Sequence, residues 1–213
     1  KTFSISLSPI SPLRFSDALT AAMMAAARKG IFVSPLPCPT GGATAPFTIA
    51  GGLSQQNAEV LAGIVLIQLV NPGLPVEYNG RLAMMDPKTA MVSSGIIDAI
   101  VAAGTVQIGH YYGLPVDVYG FSSASHMADI QMGFERSHIA SIPALAGADI
   151  LSGIGEIECG VGGSYTQMVS DNELATGIHR LRAGIKVDKD SLGMEVITEA
   201  ANGNQNYLDK KHT

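Results

Sequence analysis

The sequence predicts an α/β fold of parallel β/α repeats, in a single domain over residues 1–213. Three observations carry this expectation. Short apolar runs of strand type alternate with longer Ala-, Leu- and Ile-rich runs of helix type. The long connections all follow strands, after Leu36, Tyr78, Tyr119 and Ser152, whereas returns from helix to strand are short, as at Lys29-Gly30 and Asn71-Pro72-Gly73. The chain is 46% hydrophobic and only 15% charged, as expected where parallel strands are covered on both faces.

The elements follow in order. Phe3 to Leu7 alternates apolar and polar residues and predicts a strand. Ser16-Asp17 caps a helix running to about Lys29, with Gly30 as terminator. Ile31 to Leu36 is the second strand. Thr40 to Pro46 holds too much Gly, Thr and Pro for regular structure and predicts an open loop. Ala50 to Val70 is a buried helix with a polar first turn, stopped by Asn71, Pro72 and Gly73. Leu74 to Tyr78 is the third strand, followed by an irregular passage, NGRLAMMDPKTAM. Ser93-Ser94 opens a helix to about Tyr112, and Leu114 to Tyr119 is the fourth strand. FSSASH leads to a helix from about Met127 to Leu145, and Ala148 to Ser152 is the fifth strand. The Gly-rich loop GIGEIECGVGGS precedes a helix over Tyr165 to Ala183, and a last helix spans Ser191 to about Ala201. Five β/α units result, doubly wound or barrel-forming; the residues alone leave both open.

Composition excludes several classes. A net charge of −5 argues against a nucleic-acid surface, the one basic cluster being Lys210, Lys211 and His212. The longest uncharged apolar run, Val60 to Val70, is too short to span a bilayer, and Ile96 to Ile108 is interrupted by Asp98. Two cysteines build no disulfide framework, so a reducing cytoplasm is the expected compartment. The five histidines show no paired ligand spacing, so no metal is expected, and no GxSxG elbow is present.

Sites in parallel α/β folds form at the C-terminal ends of strands, where the four long connections would converge. Glu158 lies in such a loop beside Glu156, and two carboxylates suit a cation rather than a phosphate. The alternative is a solvated loop carboxylate. Cations are also held on aromatic faces, which makes Tyr78, Tyr119 and Phe121 candidates for substrate binding. Tyr111 and Tyr112 sit at the opposite end and are read as packing. In the central loop, Thr40, Gly41, Gly42 and Thr44 leave the backbone open to a large planar cofactor. Behind it stand Gln55, Gln56, Asn57 and Glu59. They either serve the site, Gln56 as a substrate contact, or satisfy the helix N-terminus.

One stretch, GGATAPFTIAGGLSQQNAEVLAGIVLIQLVNPGLPVEY (Gly41 to Tyr78), closely resembles the trimethylamine methyltransferase family. So do SPLRF from Ser11, HYYGLP from His110, DIQMGFE from Asp129, IECG from Ile157 and QMVSDNE from Gln167. The resemblance covers nearly the whole chain and matches the family's C-terminal half. It implies a TIM-type barrel, of which this chain holds about five of eight β/α units, and hence a piece of a longer polypeptide. The implied function is methyl transfer from a quaternary or tertiary methylated amine to the Co(I) corrinoid of a partner protein. Expected partners are that corrinoid (cobalamin) protein, a small methylated amine and further copies of the chain in a homo-oligomer, with no nucleic acid and no membrane.

The resemblance implies that Glu158 belongs to the amine site, and the central loop faces the corrinoid. His126 is a departure: the family usually carries Lys there, and Asp where Ala124 stands. The trimethylamine-specific branch has pyrrolysine, whose counterpart falls in or near this loop and which this sequence lacks. That points to non-pyrrolysine members, some of which use glycine betaine. Glu158 and His126 are therefore the candidate catalytic residues. Lys210 departs from the family tail and His212-Thr213 matches it. Two other functions compete: an incomplete barrel that binds betaine or corrinoid without turnover, and a barrel enzyme acting on a phosphorylated substrate. The scarcity of basic residues near strand ends weighs against the second.

Overall fold

Pairing among the strands of the main layer is parallel throughout, and a helix follows each strand or its terminal loop. The computed structural model describes residues 4–92, 94–203 and 206–208. Phe3, Ser93 and the tail residues Lys210, Lys211, His212 and Thr213, each given a part above, lie outside the described residues. In chain order the larger unit runs β1 (Ser4–Leu7), α1 (Asp17–Arg28), β2 (Phe32–Pro35), β3 (Thr40–Gly41), α2 (Ile49–Val70), β4 (Tyr78–Asn79) and β5 (Ala83–Met84). It continues through α3 (Ile96–Tyr111), β6 (Val116–Tyr119), α4 (Ile130–Ala146), β7 (Ile150–Ser152), β8 (Glu156–Ile157), β9 (Gly162–Gly163) and α5 (Tyr165–Ala183). The chain divides into two compact units, Lys1–Arg182 and Ala183–Thr213.

β1 pairs with β2, β2 lies beside β4, and β4, β6 and β7 pair in that order. Strand order thus follows chain order, as expected for successive β/α units. The core lies between this layer and its helices. Met23, Ala26 and Ala27 of α1 meet Val33 and Ile67, while Val60 of α2 and Val106 of α3 close on Tyr78, Val116 and Val118. α1 forms because Ser16 accepts a hydrogen bond from Leu19 N at 3.3 Å, Asp17 sits in its first turn and Arg28 in its last.

α2 is apolar almost all round. Among the described residues it is the one helix whose length and composition would let it cross a membrane. Its buried stripe is Gly52, Gln56, Glu59, Val60, Gly63 and Ile67, spaced by three and four residues as one helical face requires. A Cβ on Gly63 would come within 2.7 Å of the Pro35 ring, so glycine there lets α2 lie close on β2.

Three details depart from the sequence reading. The central loop is not wholly open: Thr40–Gly41 pairs in parallel with Ala83–Met84, inside the passage read as irregular. The carbonyls of Pro37, Pro39 and Gly41 accept from Arg81, Ala83 and Met85 at 3.0–3.1 Å. Proline lacks the donor but keeps the acceptor, so one strand edge is enough to pair. The Gly-rich loop holds an antiparallel hairpin of β8 and β9. Finally, α4 begins at Ile130 and not near Met127, with Asp129 capping Met132 N at 2.8 Å, so the loop that holds His126 runs on to Asp129.

The smaller unit holds two helices where one was expected. Lys189–Leu192 has a reciprocal cap between Asp188 and Ser191, and Gly193, in the left-handed region, separates it from Met194–Asn202.

Candidate functional site

Connections from four strands meet at a cleft of about 290 Å³. Cys38 arrives after β2, Arg81 after β4, Tyr119 and Ser122 at and beyond the end of β6, and Cys159 after β7, with Asp98 from the first turn of α3. The expected gathering of the long loops on one face is what the fold builds. Val92, Val101, Ala102 and Ile139 give the cleft apolar walls.

Arg81 anchors its centre. One guanidinium nitrogen donates to Asp117 Oδ1 at 2.8 Å and Ser152 Oγ at 2.7 Å, the other to the Asp117 carbonyl at 2.9 Å. Its Cζ stands 4.4 Å from the Tyr119 ring centroid. The loop after β4 is thereby tied through one side chain to β6 at Asp117 and to the end of β7 at Ser152. The positive charge is matched by Asp117, whose side chain is only 13% exposed.

A second arginine ties the two remaining loops together. Arg136 on α4, 2% exposed, donates to the Phe121 carbonyl and to Asp171 Oδ2, both at 2.8 Å, and to the Glu156 carbonyl. Asp171 also accepts from Gly155 N at 2.7 Å and from Gln167 at 2.8 Å. Across the cleft mouth, Glu158 N and Cys159 N donate to the carbonyls of Ser125 and Ser123 at 3.2 and 2.8 Å. Glu158 and Cys159 both take positive φ, 54° and 52°, a costly backbone for two consecutive residues with side chains. Such strain gathers where a site needs a fixed wall.

Burial raises the acids around this space. Burial pushes the Cys159 thiol up to about 11, and Asp98, Glu135 and Glu156 add to the rise. Burial likewise raises Glu156, against the pull of its Ser122 hydrogen bond and of Arg136 and Arg81. Asp98 is pushed up to about 7, by burial first and by Glu135 second. A thiol so placed stays protonated and is no nucleophile near neutral pH.

The expected site residues divide. Glu158 and His126 are brought together, His126 Nδ1 standing 2.6 Å from Glu158 Oε1. Neither lines the cleft, whose wall there is the adjacent Cys159. Tyr119 does line it, but one aromatic face carries Arg81. Tyr78 is placed elsewhere: it is fully buried in the core, and its hydroxyl donates to Asn57 Oδ1 at 3.1 Å. Phe121 is also buried, at 2% exposure, and offers the cleft no ring face. Tyr112 stacks on Tyr78 and meets Tyr111 edge-on, but Tyr111 is 84% exposed, so only Tyr112 takes part in the packing read for that end.

Gln56 is structural. It is wholly buried, accepting from Leu82 N at 2.7 Å and donating to Thr105 Oγ1 at 3.0 Å, and a Cβ on Gly80 would overlap its amide. Its neighbours do similar work: Gln55 donates to the Thr44 carbonyl, and Glu59 accepts from Ser11 Oγ and Leu13 N. Gln56→Leu, which leaves Leu82 N unpaired, is expected to cost about 1–3 kcal/mol. Denaturant unfolding checks this, and an unchanged midpoint would deny Gln56 its structural role.

In the central loop, Thr40 lines the cleft, while Gly41, Gly42 and Thr44 do not. The loop does not fit a planar cofactor as a cradle. The space beside Gly41 holds the Met84 side chain, 2.6 Å from where a Cβ would stand, and that beside Gly42 holds Phe47 at 2.8 Å. Thr44 Oγ1 accepts from Thr40 N at 2.8 Å and closes the turn on itself. Among the described residues no group of three or more His, Cys, Asp or Glu side chains is placed to hold a metal. Sequence reading passed over Arg81, Asp98, Cys38 and Cys159 as site residues, although Asp98 was visible as the lone charge in an apolar helix.

Comparison with known proteins matches this sequence to one family. The family model described as trimethylamine methyltransferase (MTTB) matches residues 3–213. The trimethylamine methyltransferase MttB of Methanosarcina thermophila is 37% identical over 213 residues, 99% of this chain and 44% of its own length. The MttB of Desulfitobacterium hafniense (strain DSM 10664 / DCB-2) is 36% identical over 99% of this chain and 42% of its own. The glycine betaine methyltransferase of Desulfitobacterium hafniense (strain Y51) is 32% identical over 97% of this chain and 43% of its own. The chain thus spans less than half the length of these curated relatives. Covered by the family model nearly from end to end, the chain belongs to the trimethylamine methyltransferase family.

Proposed function

We propose that the cleft takes a small methylated ammonium compound and that its methyl group passes to the Co(I) corrinoid of a separate corrinoid protein seated over the strand-end face. One observation carries this reading. Asp98 is the one carboxylate among the described lining residues, and Arg81, the one Lys or Arg there, is already matched by Asp117. The relatives named for trimethylamine and for glycine betaine support a methylated amine as donor. The lack of a pyrrolysine in this sequence favours a quaternary donor such as glycine betaine. The five parallel strands are read as one arc of an eight-stranded barrel, in keeping with relatives more than twice as long.

The chemistry asked of this chain is modest. Displacement at the methyl carbon breaks its bond to nitrogen, the electron pair stays on nitrogen, and a neutral amine leaves without a proton. The corrinoid is the methyl acceptor, carried by its own protein, and its reduced cobalt supplies the nucleophile. The chain's residues hold the cation, aim its methyl group outward and keep water away. The apolar walls surround methyl groups, and the Arg81–Tyr119 stack and the strained Glu158-Cys159 turn keep the mouth rigid. The Glu158–His126 pair stands beside that turn.

A spectroscopic assay of Co(I) cobalamin methylation, with the full-length protein and a panel of betaines and methylamines, tests the proposal. Cobalamin should be methylated with at least one quaternary amine. Binding of the amine with no methylation across the panel would instead establish a binding module without turnover.

A further inference from the structure

We propose that Asp98, rather than Glu158, is the residue that holds the cationic head of the ligand in the cleft. This rests on the methylated-ammonium reading and deepens it.

The carboxylates around the cleft are committed, with one exception. Asp117 is bound to Arg81, Asp171 to Arg136, and Glu158 to His126. Glu156 accepts from Ser122 Oγ at 3.2 Å. Glu135 accepts from Ser123 Oγ, Ala124 N and Gln131 at 2.7–2.9 Å. Asp98 lines the cleft, and its Oδ1 is enclosed with no hydrogen-bond partner among the described residues. Nor does a helix-capping task account for it, since Gly95 caps α3 without a side-chain bond and Asp98 lies in the turn beyond.

A buried polar atom without a partner needs a reason, because its lost hydration costs more than a typical hydrogen bond returns. A quaternary ammonium supplies one. It has no N–H to donate, so it is recognised by a fixed negative charge together with apolar walls for its methyl groups. Asp98 stands among Val92, Val101, Ala102 and Ile139 on that pattern. The groups acting on it are Glu135 from α4 and Cys159 from the turn after β8, and the other charged or titratable side chains lining the cleft are Arg81, Tyr119 and Cys38. Glu135 adds to the attraction for a cation, the thiol is neutral, and Arg81 is matched by Asp117. Glu158, a third exposed and tied to His126, offers a weaker and wetter charge.

Calorimetric titration at pH 8 with choline and with its uncharged carbon isostere, 3,3-dimethylbutan-1-ol, separates charge from shape. The wild-type protein should prefer choline. Asp98→Asn should lose at least about tenfold in choline affinity, and with it the preference, while keeping the alcohol. Glu158→Gln should lose less than about threefold. Binding of the alcohol also reports an intact cleft, and Asp98→Ser serves if the amide disturbs folding. A variant at Asp98 that still prefers choline would overturn the role of Asp98 and leave the methylated-amine reading standing. A wild-type protein that binds choline no better than the alcohol would overturn both.

Discussion

Replacing Arg136 with methionine is expected to destabilise the larger unit by about 3–5 kcal/mol, since it strands a charge inside the protein. Asp171 is 1% exposed and would lose its one cationic partner. Burial lowers the pKa of Arg136 itself, against the pull of Asp171 and Glu156, so the pair is an expensive one held by geometry. The carbonyls of Phe121 and Glu156 would lose their donor in the same step. Methionine keeps the stem's apolar contacts, so the loss reports the guanidinium and not a cavity. The double change Arg136→Met, Asp171→Leu should recover a large part of the loss, because an apolar pair needs no compensation. Denaturant unfolding of the two single variants and the double variant measures the coupling. A loss below about 1 kcal/mol for Arg136→Met, or no recovery in the double variant, would mean that the pair does not hold these loops. The functional consequence is specific: the loops carrying Ser122, Ser123 and Cys159 hang on this side chain, so the cleft should loosen even where the helices survive.

Arg136 also shows where sequence reading stops. The alternation of strands and helices was legible because parallel strands bury both faces and leave nearly unbroken apolar runs. Convergence of the loops was legible too, since right-handed β/α units put every strand-to-helix connection on one side. Glu158 and His126, some thirty residues apart, are picked out by their loops together with the family resemblance, and the fold sets them 2.6 Å apart. What was not legible depends on which way a side chain points. Gln56 sits in a polar turn next to a Gly-rich loop and reads as a ligand contact, yet it faces the core because its helical stripe does. Tyr78 and Phe121 end up buried for a related reason: a position at a strand end does not say which face the ring takes. The β3–β5 pairing was hidden because Thr40 to Pro46 is so rich in Gly, Thr and Pro, yet the carbonyls of Pro37, Pro39 and Gly41 suffice to accept from Arg81, Ala83 and Met85. Arg81 fell within an irregular passage, and its four partners come from its own neighbour and from β6 and β7, which nothing local announces.

Asp98→Asn is expected to stabilise the protein above neutral pH and to do almost nothing near pH 4. The carboxyl is raised from 3.8 to about 7, by burial and then by Glu135. Between those values the folded protein keeps a proton that the unfolded chain has lost, so unfolding releases one. Stability from this group therefore falls by about 1.4 kcal/mol per pH unit as pH rises through that window. Above about pH 7 both states are ionised and the penalty levels off, at no more than about 4 kcal/mol. Asparagine carries no such proton, so the difference between variant and wild type should grow from near zero at pH 4 to its plateau by about pH 8. Unfolding free energies at four or five pH values suffice to trace it, and other titrating groups cancel in the difference. A difference that stays flat with pH would show that Asp98 is ionised throughout and has a partner. If the difference rises while choline binding is lost, the protein tolerates a destabilising carboxylate because the ligand requires it, the trade between stability and activity expected of a working site.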